Sequence, residues 1–203
     1  MRIIIVASSP YQTFNKYEYL DGDYLIGIED GAYQIIKQNL RLDLAIGDFD
    51  TTNNFDIIKQ HAVILKQYSP IKDEIDLELA FKYIISNNLK GEIIVYNACM
   101  GRMDHELITI KLLKKYHNLQ VTLINETESI KYITTDVLIE KGNKRFSLIP
   151  FDNVTLEIIN AKYSIPKTIL TSNDVYTSSN KTLDDLDTII KIYDGGIYLI
   201  KEL

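Results

Sequence analysis

The chain has 203 residues, with 28 acids against 22 lysines and arginines, a formal charge of −6 at pH 7 and a 46% hydrophobic composition. The negative balance argues against a nucleic-acid backbone as partner, because that binding depends on Lys and Arg neutralising phosphates; a small, locally neutralised anion stays open. A single cysteine, Cys99, excludes an intrachain disulfide and a cysteine-built zinc site, and no apolar run forms a signal sequence or reaches the roughly 20 residues that span a bilayer. A soluble, unprocessed protein of the reducing cytoplasm is expected.

In chain order, the first 125 residues alternate short apolar runs with segments of helical period. "RIIIV" (Arg2 to Val6), "YLIGI" (Tyr24 to Ile28), "LDLAI" (Leu42 to Ile46), "AVIL" (Ala62 to Leu65), "EIIVY" (Glu92 to Tyr96) and "VTLI" (Val121 to Ile124) read as buried strands. Between them "GAYQIIKQNL", "IDLELAFKYIISNN" and "HELITIKLLKKYH" carry apolar residues at helical spacing, as in Leu77, Ala80, Phe81, Ile84 and Ile85. This alternation predicts an α/β fold with a mostly parallel sheet. From about residue 126 the rhythm becomes "SIKYIT", "DVLIE", "RFSLIP", "VTLEII", "TIIKIY" and "GIYLIK", broken by Asn, Asp, Gly, Pro and Ser. No helical segment intervenes, which predicts an antiparallel β domain over 126–203 after an α/β domain over 1–125.

Acids collect where strands end, and in open α/β sheets ligands bind outside the carboxyl ends of the strands. Asp30 and Gly31 follow "YLIGI", and Asp48 and Asp50 follow "LDLAI" in "AIGDFDTTN". Lys72, Asp73 and Asp76 stand in "PIKDEIDLELAF", and Arg102, Asp104 and His105 in "MGRMDHEL". Each has an ordinary reading: Asp73 and Asp104 as helix N-caps, Asp50 and Thr51 as caps of a helix through "NNFDIIKQ", and Glu74 and Asp76 as first-turn acids. Lys72 and Arg102 can be solvated surface charges, His105 an exposed first-turn histidine, and Asp30-Gly31 a strand-to-helix turn.

Capping does not explain the convergence. Two carboxylates about 4 Å apart repel by on the order of 4 kcal/mol at an effective dielectric near 20. A divalent cation supplies compensation, and oxygen ligands without a histidine or thiolate cluster suit Mg²⁺. On an extended segment, Asp48 and Asp50 would face one ion while Phe49 packs behind. Lys72 and Arg102 would then meet phosphate oxygens, Arg102 by bidentate contact. Phosphoryl or pyrophosphoryl transfer is the chemistry expected, without a Walker or GxGxxG loop. The Asp-x-Asp of a metal-dependent sugar-nucleotide transferase fits the same spacing, and spacing alone does not separate the two.

Four segments in order, "EDGAY", "GDFDT", "KDEID" and "MGRMDH", resemble the thiamine pyrophosphokinase family, and "RFSLIPF", "NAKYSI" and "YTSSNKT" extend the likeness into the β half. Thr51, Ile75, Met100 and Asn160-Ala161 depart from the family pattern. The resemblance implies a Rossmann-like ATP domain followed by a β-sandwich, a homodimer with thiamine bound at the subunit interface, and transfer of pyrophosphate from ATP to thiamine with release of AMP. It implies Asp48, Asp50, Asp73 and Asp76 around Mg²⁺, Asp104 completing the catalytic set, and Asp30, Gly31, Lys72, Arg102 and His105 toward ATP and its phosphates. Tyr163, Ser179 and Asn180 would face thiamine, although a strand aromatic and two turn residues are their ordinary readings. Competing functions are a pyrophosphokinase for another alcohol, such as a hydroxymethyl pterin, and a non-catalytic thiamine or nucleotide binder.

Overall fold

The six β-branched runs of the first half become six strands: β1 (Arg2–Val6), β2 (Tyr24–Ile28), β3 (Leu42–Gly47), β4 (Ala62–Gln67), β5 (Glu92–Tyr96) and β6 (Thr122–Ile124). The computed structural model describes residues 1–9, 13–99 and 101–203. Two units divide the chain, Met1–Glu126 and Thr127–Leu203. In the first, the strand order is β6-β5-β1-β2-β3-β4 and every pair is parallel. Helices α1 (Asp30–Lys37), α2 (Phe55–His61), α3 (Asp76–Ser86) and α4 (Met103–Lys115) make the crossovers and connections.

Alternation along β1 divides the core. Ile4 and Val6 join Ala32 and Ile35 of α1 and Ile58 of α2 in one apolar cluster, while Ile3 and Ile5, equally buried, point to the opposite face. There α3 buries Leu77, Ala80, Phe81 and Ile84, and Phe81 meets Tyr116 edge-on at 5.5 Å between ring centroids. Ile85, expected on the apolar stripe, is exposed. The run "AVIL" does not become a buried strand: β4 lies at the sheet edge and Val63 is 59% exposed.

None of the expected side-chain caps forms. α3 begins at Asp76 behind Ile75, α4 at Met103 behind Arg102 and α2 at Phe55 behind Asn54, with no side-chain capping bond at any of the three. Asp73, Asp104, Asp50 and Thr51 are therefore not N-caps: Asp73 stands before the helix, Asp104 within its first turn, and Asp50 and Thr51 in the loop ahead of Asn54.

The start of β2 is pinned to β1 by a buried carboxylate. Asp23 accepts from Arg2 Nε at 2.9 Å, from the Tyr17 hydroxyl and from the Leu20 N–H at 3.0 Å. Burial alone would raise its pKa, but those three donors outweigh it and lower it to about 2. A depressed carboxyl contributes stability above its unfolded value and loses it as pH falls through the folded one. The contribution, about 2 kcal/mol, is complete above pH ~4 and fades toward pH 2. Urea denaturation of Asp23→Asn should show that loss, or more, at pH 7 and a smaller one at pH 3.

The second unit contains no helix among its described residues. Its strands are β7 (Glu128–Ile133), β8 (Val137–Ile139), β9 (Arg145–Ile149), β10 (Val154–Ile159), β11 (Ile165–Leu170), β12 (Asn180–Lys181), β13 (Thr188–Asp194) and β14 (Ile197–Glu202). They pair antiparallel in the orders β12-β9-β14-β7 and β11-β10-β13-β8. Phe146, Leu148 and Leu199 of the first sheet share one buried cluster with Leu156, Ile158 and Ile190 of the second, the arrangement of a β-sandwich. Period-two alternation is complete in β10, whose Val154, Leu156 and Ile158 are buried in turn. β11 is an added strand with no counterpart in the pattern-based reading. Pro166 interrupts its run, and the strand sits on a sheet edge, where a missing N–H leaves no ladder bond broken.

Candidate active-site cleft

After β4 the chain crosses from one side of β1 to the other to form β5, so the order of the sheet reverses between β1 and β5. Loops diverge at such a point and open a crevice at the carboxyl ends of the strands. A cleft of about 570 Å³ lies there, with Ala7, Ser8 and Ser9 following β1 and Asn97, Ala98 and Cys99 following β5. Burial pushes the Cys99 thiol up to about 11. Asn97 sits at φ 62° and is buried. Its Oδ1 accepts from the Thr13 hydroxyl at 2.8 Å and the Phe14 N–H at 3.1 Å, and its Nδ2 donates to Gln34 Oε1 at 2.7 Å. That amide fixes the cleft floor beside β5.

The acidic side of the cleft holds Glu29, Asp48, Asp50, Glu74 and Asp76. Lys72 is the cation among them: its Nζ lies 3.2 Å from Asp48 Oδ2 and 3.0 Å from Asp76 Oδ1, and its side chain is 13% exposed. Burial would lower the lysine pKa, but Asp76 and Asp48 together raise it. Burial would likewise raise Asp48, yet the Asp50 N–H and Lys72 hold it below the ordinary carboxylate range. The hydrogen bond shared with Asp48 moves Asp50 the other way, upward.

Asp48 and Asp50 do face each other, by a route other than extended alternation. Phe49 is at φ 59°, so the segment turns, and the Asp50 N–H donates to Asp48 Oδ1 at 3.3 Å. Phe49 packs behind against Phe55, centroids 5.2 Å apart, as the Asp-Phe-Asp pattern predicts.

Other expected residues lie elsewhere. Asp73 is exposed and does not line the cleft; Glu74 does, bonded to Lys82 Nζ at 2.5 Å. Asp30 is also outside. It accepts from the Thr52 hydroxyl and from Asn54 Nδ2 at 3.4 Å, tying α1 to the loop before α2. Gly31 faces the backbone of β1, where a Cβ would come 2.7 Å from the Val6 carbonyl carbon. Arg102 and His105 line the cleft, whereas Asp104 is held in a surface fork by Arg102, Nε to Oδ1 at 3.1 Å and Nη2 to Oδ2 at 2.6 Å. That fork lowers the Asp104 pKa to about 2. Met100 lies outside the described residues.

The sequence reading passes over Glu29, the acid that the end of β2 contributes to the cleft. It is 8% exposed, and its pKa is raised to about 7 by burial, with the Phe49 N–H pulling the other way and Asp76 and Asp48 adding to the rise. One signal was available: Gly47, closing β3, marks a place where another group comes close, and a Cβ there would overlap Glu29 Oε1.

Among the described residues no group of three or more His, Cys, Asp or Glu is arranged to hold a metal ion. The donor set nevertheless fits a hard cation of the magnesium type. Asp48 and Asp50 are adjacent carboxylates, Asp76 Oδ1 is buried with no hydrogen-bond partner among the described residues beyond its ion pair, and one or two carboxylates suffice for an ion that draws its other ligands from water and phosphate.

In the second unit, Asn180 is buried and its amide is committed to the backbone of Tyr163. Its Oδ1 accepts the Tyr163 N–H at 3.0 Å and its Nδ2 donates to the Tyr163 carbonyl at 2.9 Å. The Tyr163 ring is 57% exposed, with Lys162 Nζ 5.2 Å from its centroid. Ser179, at φ 57°, donates its N–H to Ser147 Oγ at 2.9 Å and is exposed. Among the described residues no helix is long and apolar enough to cross a membrane.

No curated protein matches the chain. Among solved structures, thiamine pyrophosphokinase from Bacillus subtilis is 25% identical, with a TM-score of 0.85 over 100% of this chain and 99% of that one. A thiamin pyrophosphokinase family protein from Enterococcus faecalis is 21% identical, with a TM-score of 0.86 over 100% and 99%. Thiamin pyrophosphokinase from Candida albicans, at 15% identity, gives 0.73 over 100% of this chain and 90% of that chain. The family model for the thiamin pyrophosphokinase catalytic domain matches residues 18–124, a span that holds the strands β2 to β6 and all the charged side chains of the cleft. With more than half its length matched, the chain belongs to the thiamin pyrophosphokinase family.

Proposed function

We propose that the protein transfers pyrophosphate from ATP to the hydroxyl of thiamine, giving thiamine diphosphate and AMP. The observation that carries this reading is the pairing of Lys72 with Asp48 and Asp76 in a cleft at the sheet's reversal point, in a chain of this family. The thiamine oxygen forms a bond to the β-phosphorus, and the bond from that phosphorus to the α,β-bridging oxygen breaks, the oxygen leaving with AMP. A cleft carboxylate, Asp50 or Asp76, takes the hydroxyl proton. Lys72 and Arg102 hold phosphate oxygens, and His105 borders the same mouth. Asp48, Asp50 and Asp76 would hold Mg²⁺, which when bound neutralises charge on the transferring phosphates. Asp73, exposed and outside the cleft lining, has no part in this ligand set. Tyr163 and Ser179 receive thiamine, and Asn180 sets the Tyr163 loop. A homodimer, acting in the ATP-rich cytoplasm, completes the proposal.

One experiment tests it. Purified protein is mixed with ATP, Mg²⁺ and thiamine, and AMP and thiamine diphosphate are resolved by anion exchange, with EDTA as control. Equal amounts of both products, abolished by EDTA, are expected. A hydroxymethyl pterin in place of thiamine should give none. Asp48→Asn, Asp50→Asn and Asp76→Asn should each lower turnover by about 10²-fold or more, the scale of losing one preorganised charged group, while circular dichroism stays unchanged. Near-normal turnover in all three would remove the metal and phosphate assignment.

A second reading, a non-catalytic thiamine or nucleotide binder, draws on Ile75 and Met100, where the chain departs from the family pattern. It is the outcome if thiamine and ATP raise the melting temperature and no AMP forms.

A further inference from the structure

Glu29 combines two unfavourable features in one residue. Its backbone is at φ 51°, ψ −129°, a region that glycine occupies without strain and side-chain-bearing residues rarely do. Its carboxyl is buried in the cleft wall, and Oε2 has no hydrogen-bond partner among the described residues. Stability alone would favour glycine at this position. The specific contacts of the acid are with the turn that carries Asp48 and Asp50: Oε1 accepts the Phe49 N–H at 2.9 Å, in the middle of that turn, and the Asp48 backbone also bonds to the carboxyl. Phe49 is itself left-handed, and Gly47 on the other side of the turn leaves room that a Cβ would take, 2.7 Å from Glu29 Cδ. The turn is therefore moulded around this carboxyl, and its two ends carry the paired aspartates.

We propose that Glu29 is the positioning residue of the Gly47–Asp50 turn, aiming the Asp48 and Asp50 carboxylates at the phosphate-bound cation through its hold on the Phe49 amide. This deepens the pyrophosphokinase reading and rests on it. Glu29 acts through the backbone of its neighbours. The contact needs an acceptor oxygen at the end of a three-bond side chain, which glutamine supplies and alanine does not; aspartate is one methylene too short to reach the amide from the same backbone.

The test uses the full chain and two readouts. Mn²⁺ is titrated by electron paramagnetic resonance into protein saturated with α,β-methylene ATP, and kcat is measured separately against Mg²⁺ concentration. Glu29→Ala should weaken Mn²⁺ binding by about tenfold, the effect of losing an outer-shell partner of a ligating group, and raise the Mg²⁺ needed for half-maximal rate in parallel. Glu29→Gln, which keeps the acceptor, should stay within threefold of wild type in both. Glu29→Gly relieves the backbone, so it should melt no lower than wild type yet share the alanine defect; it keeps the test readable if the alanine variant folds poorly. Gly47→Ala, which displaces the carboxyl, should reproduce that defect.

Wild-type Mn²⁺ affinity in Glu29→Gly would overturn the proposal, and so would a glutamine variant as weak as alanine, which would assign the role to the charge. If the wild-type protein releases no AMP, the transfer reading fails by itself, while the Mn²⁺ titration still decides Glu29.

Discussion

Replacing Lys72 by methionine should lower the proposed pyrophosphate transfer by two to three orders of magnitude and, in metal-free buffer, lower the melting temperature as well. The ammonium lies between Asp48 and Asp76, 3.2 and 3.0 Å from their oxygens. Methionine keeps most of the stem packing and removes the charge, leaving two carboxylates whose oxygens both lay on one nitrogen. At about 6 Å and an effective dielectric near 20, their repulsion is on the order of 3 kcal/mol. Asp48 would then titrate higher, because Lys72 is one of the groups holding it below the ordinary range. Since a depressed carboxyl supplies stability that is lost only as pH falls, the variant should lose most at neutral pH and least near pH 3.

Adding Mg²⁺ should return part of the lost stability, since a cation can take the vacated position, and leave turnover low, because on the proposed function the ion does not replace the contact of the ammonium with phosphate. The activity loss follows from removing one charged group from a preorganised site, about 3–4 kcal/mol of barrier. Paired thermal scans with and without Mg²⁺, alongside the AMP assay, separate the two effects. A variant with unchanged melting and turnover would make Lys72 an ordinary surface charge.

Gly31→Ala should be the most damaging small substitution in the first unit. A methyl group there would overlap the Val6 carbonyl oxygen and stand 2.7 Å from its carbon. Neither partner can yield cheaply: Val6 is fully buried and hydrogen-bonded between β2 and β5. α1 must therefore lift from the sheet, exposing part of the surface that Ala32 and Ile35 now bury completely. Overpacking against backbone costs about 3 kcal/mol at its upper end, and in a chain of this length that lowers the melting temperature by about 6–12 °C. Gly101→Ala is the control, since among the described residues its Cβ would meet only Ser9 Oγ, at 4.0 Å; its midpoint should stay within about one degree. Equal midpoints for the two variants would show that α1 docks less tightly than these distances require.

Gly31 also shows how much of the site was legible in the sequence. "EDGAY" points correctly to a tight strand-to-helix turn, but the pattern does not tell which of two consecutive acids enters the cleft. Asp30 opens α1 and bonds to Thr52 and Asn54, while Glu29, one residue earlier, is carried inward by a backbone conformation that no local pattern encodes. The same limit applies to "KDEID". Its charges are apparent, yet whether Asp73 or Glu74 faces the cleft depends on where α3 begins, and Ile75 rather than a capping side chain sets that boundary. The inner strands of the parallel sheet were readable because their apolar runs are buried on both faces, unlike the edge strand β4, where Val63 is exposed. β11 was not, because Pro166 within a half-exposed run carries the same signal as a loop. Lys72, Asp48, Asp50, Asp76, Arg102 and His105, each in a loop or first helical turn at the carboxyl end of the sheet, were readable from their placement after apolar runs and do line one cleft.

Cys99 in the cleft wall has a consequence for oxidative chemistry. With burial pushing its thiol up to about 11 and the residue 8% exposed, little thiolate is present at pH 7, and the thiolate is the form that peroxides and alkylating reagents attack. The sulfur in the cleft wall is thus chemically quiet in this structure. As the chain's one cysteine, it also makes any alkylation of the protein assignable to that wall.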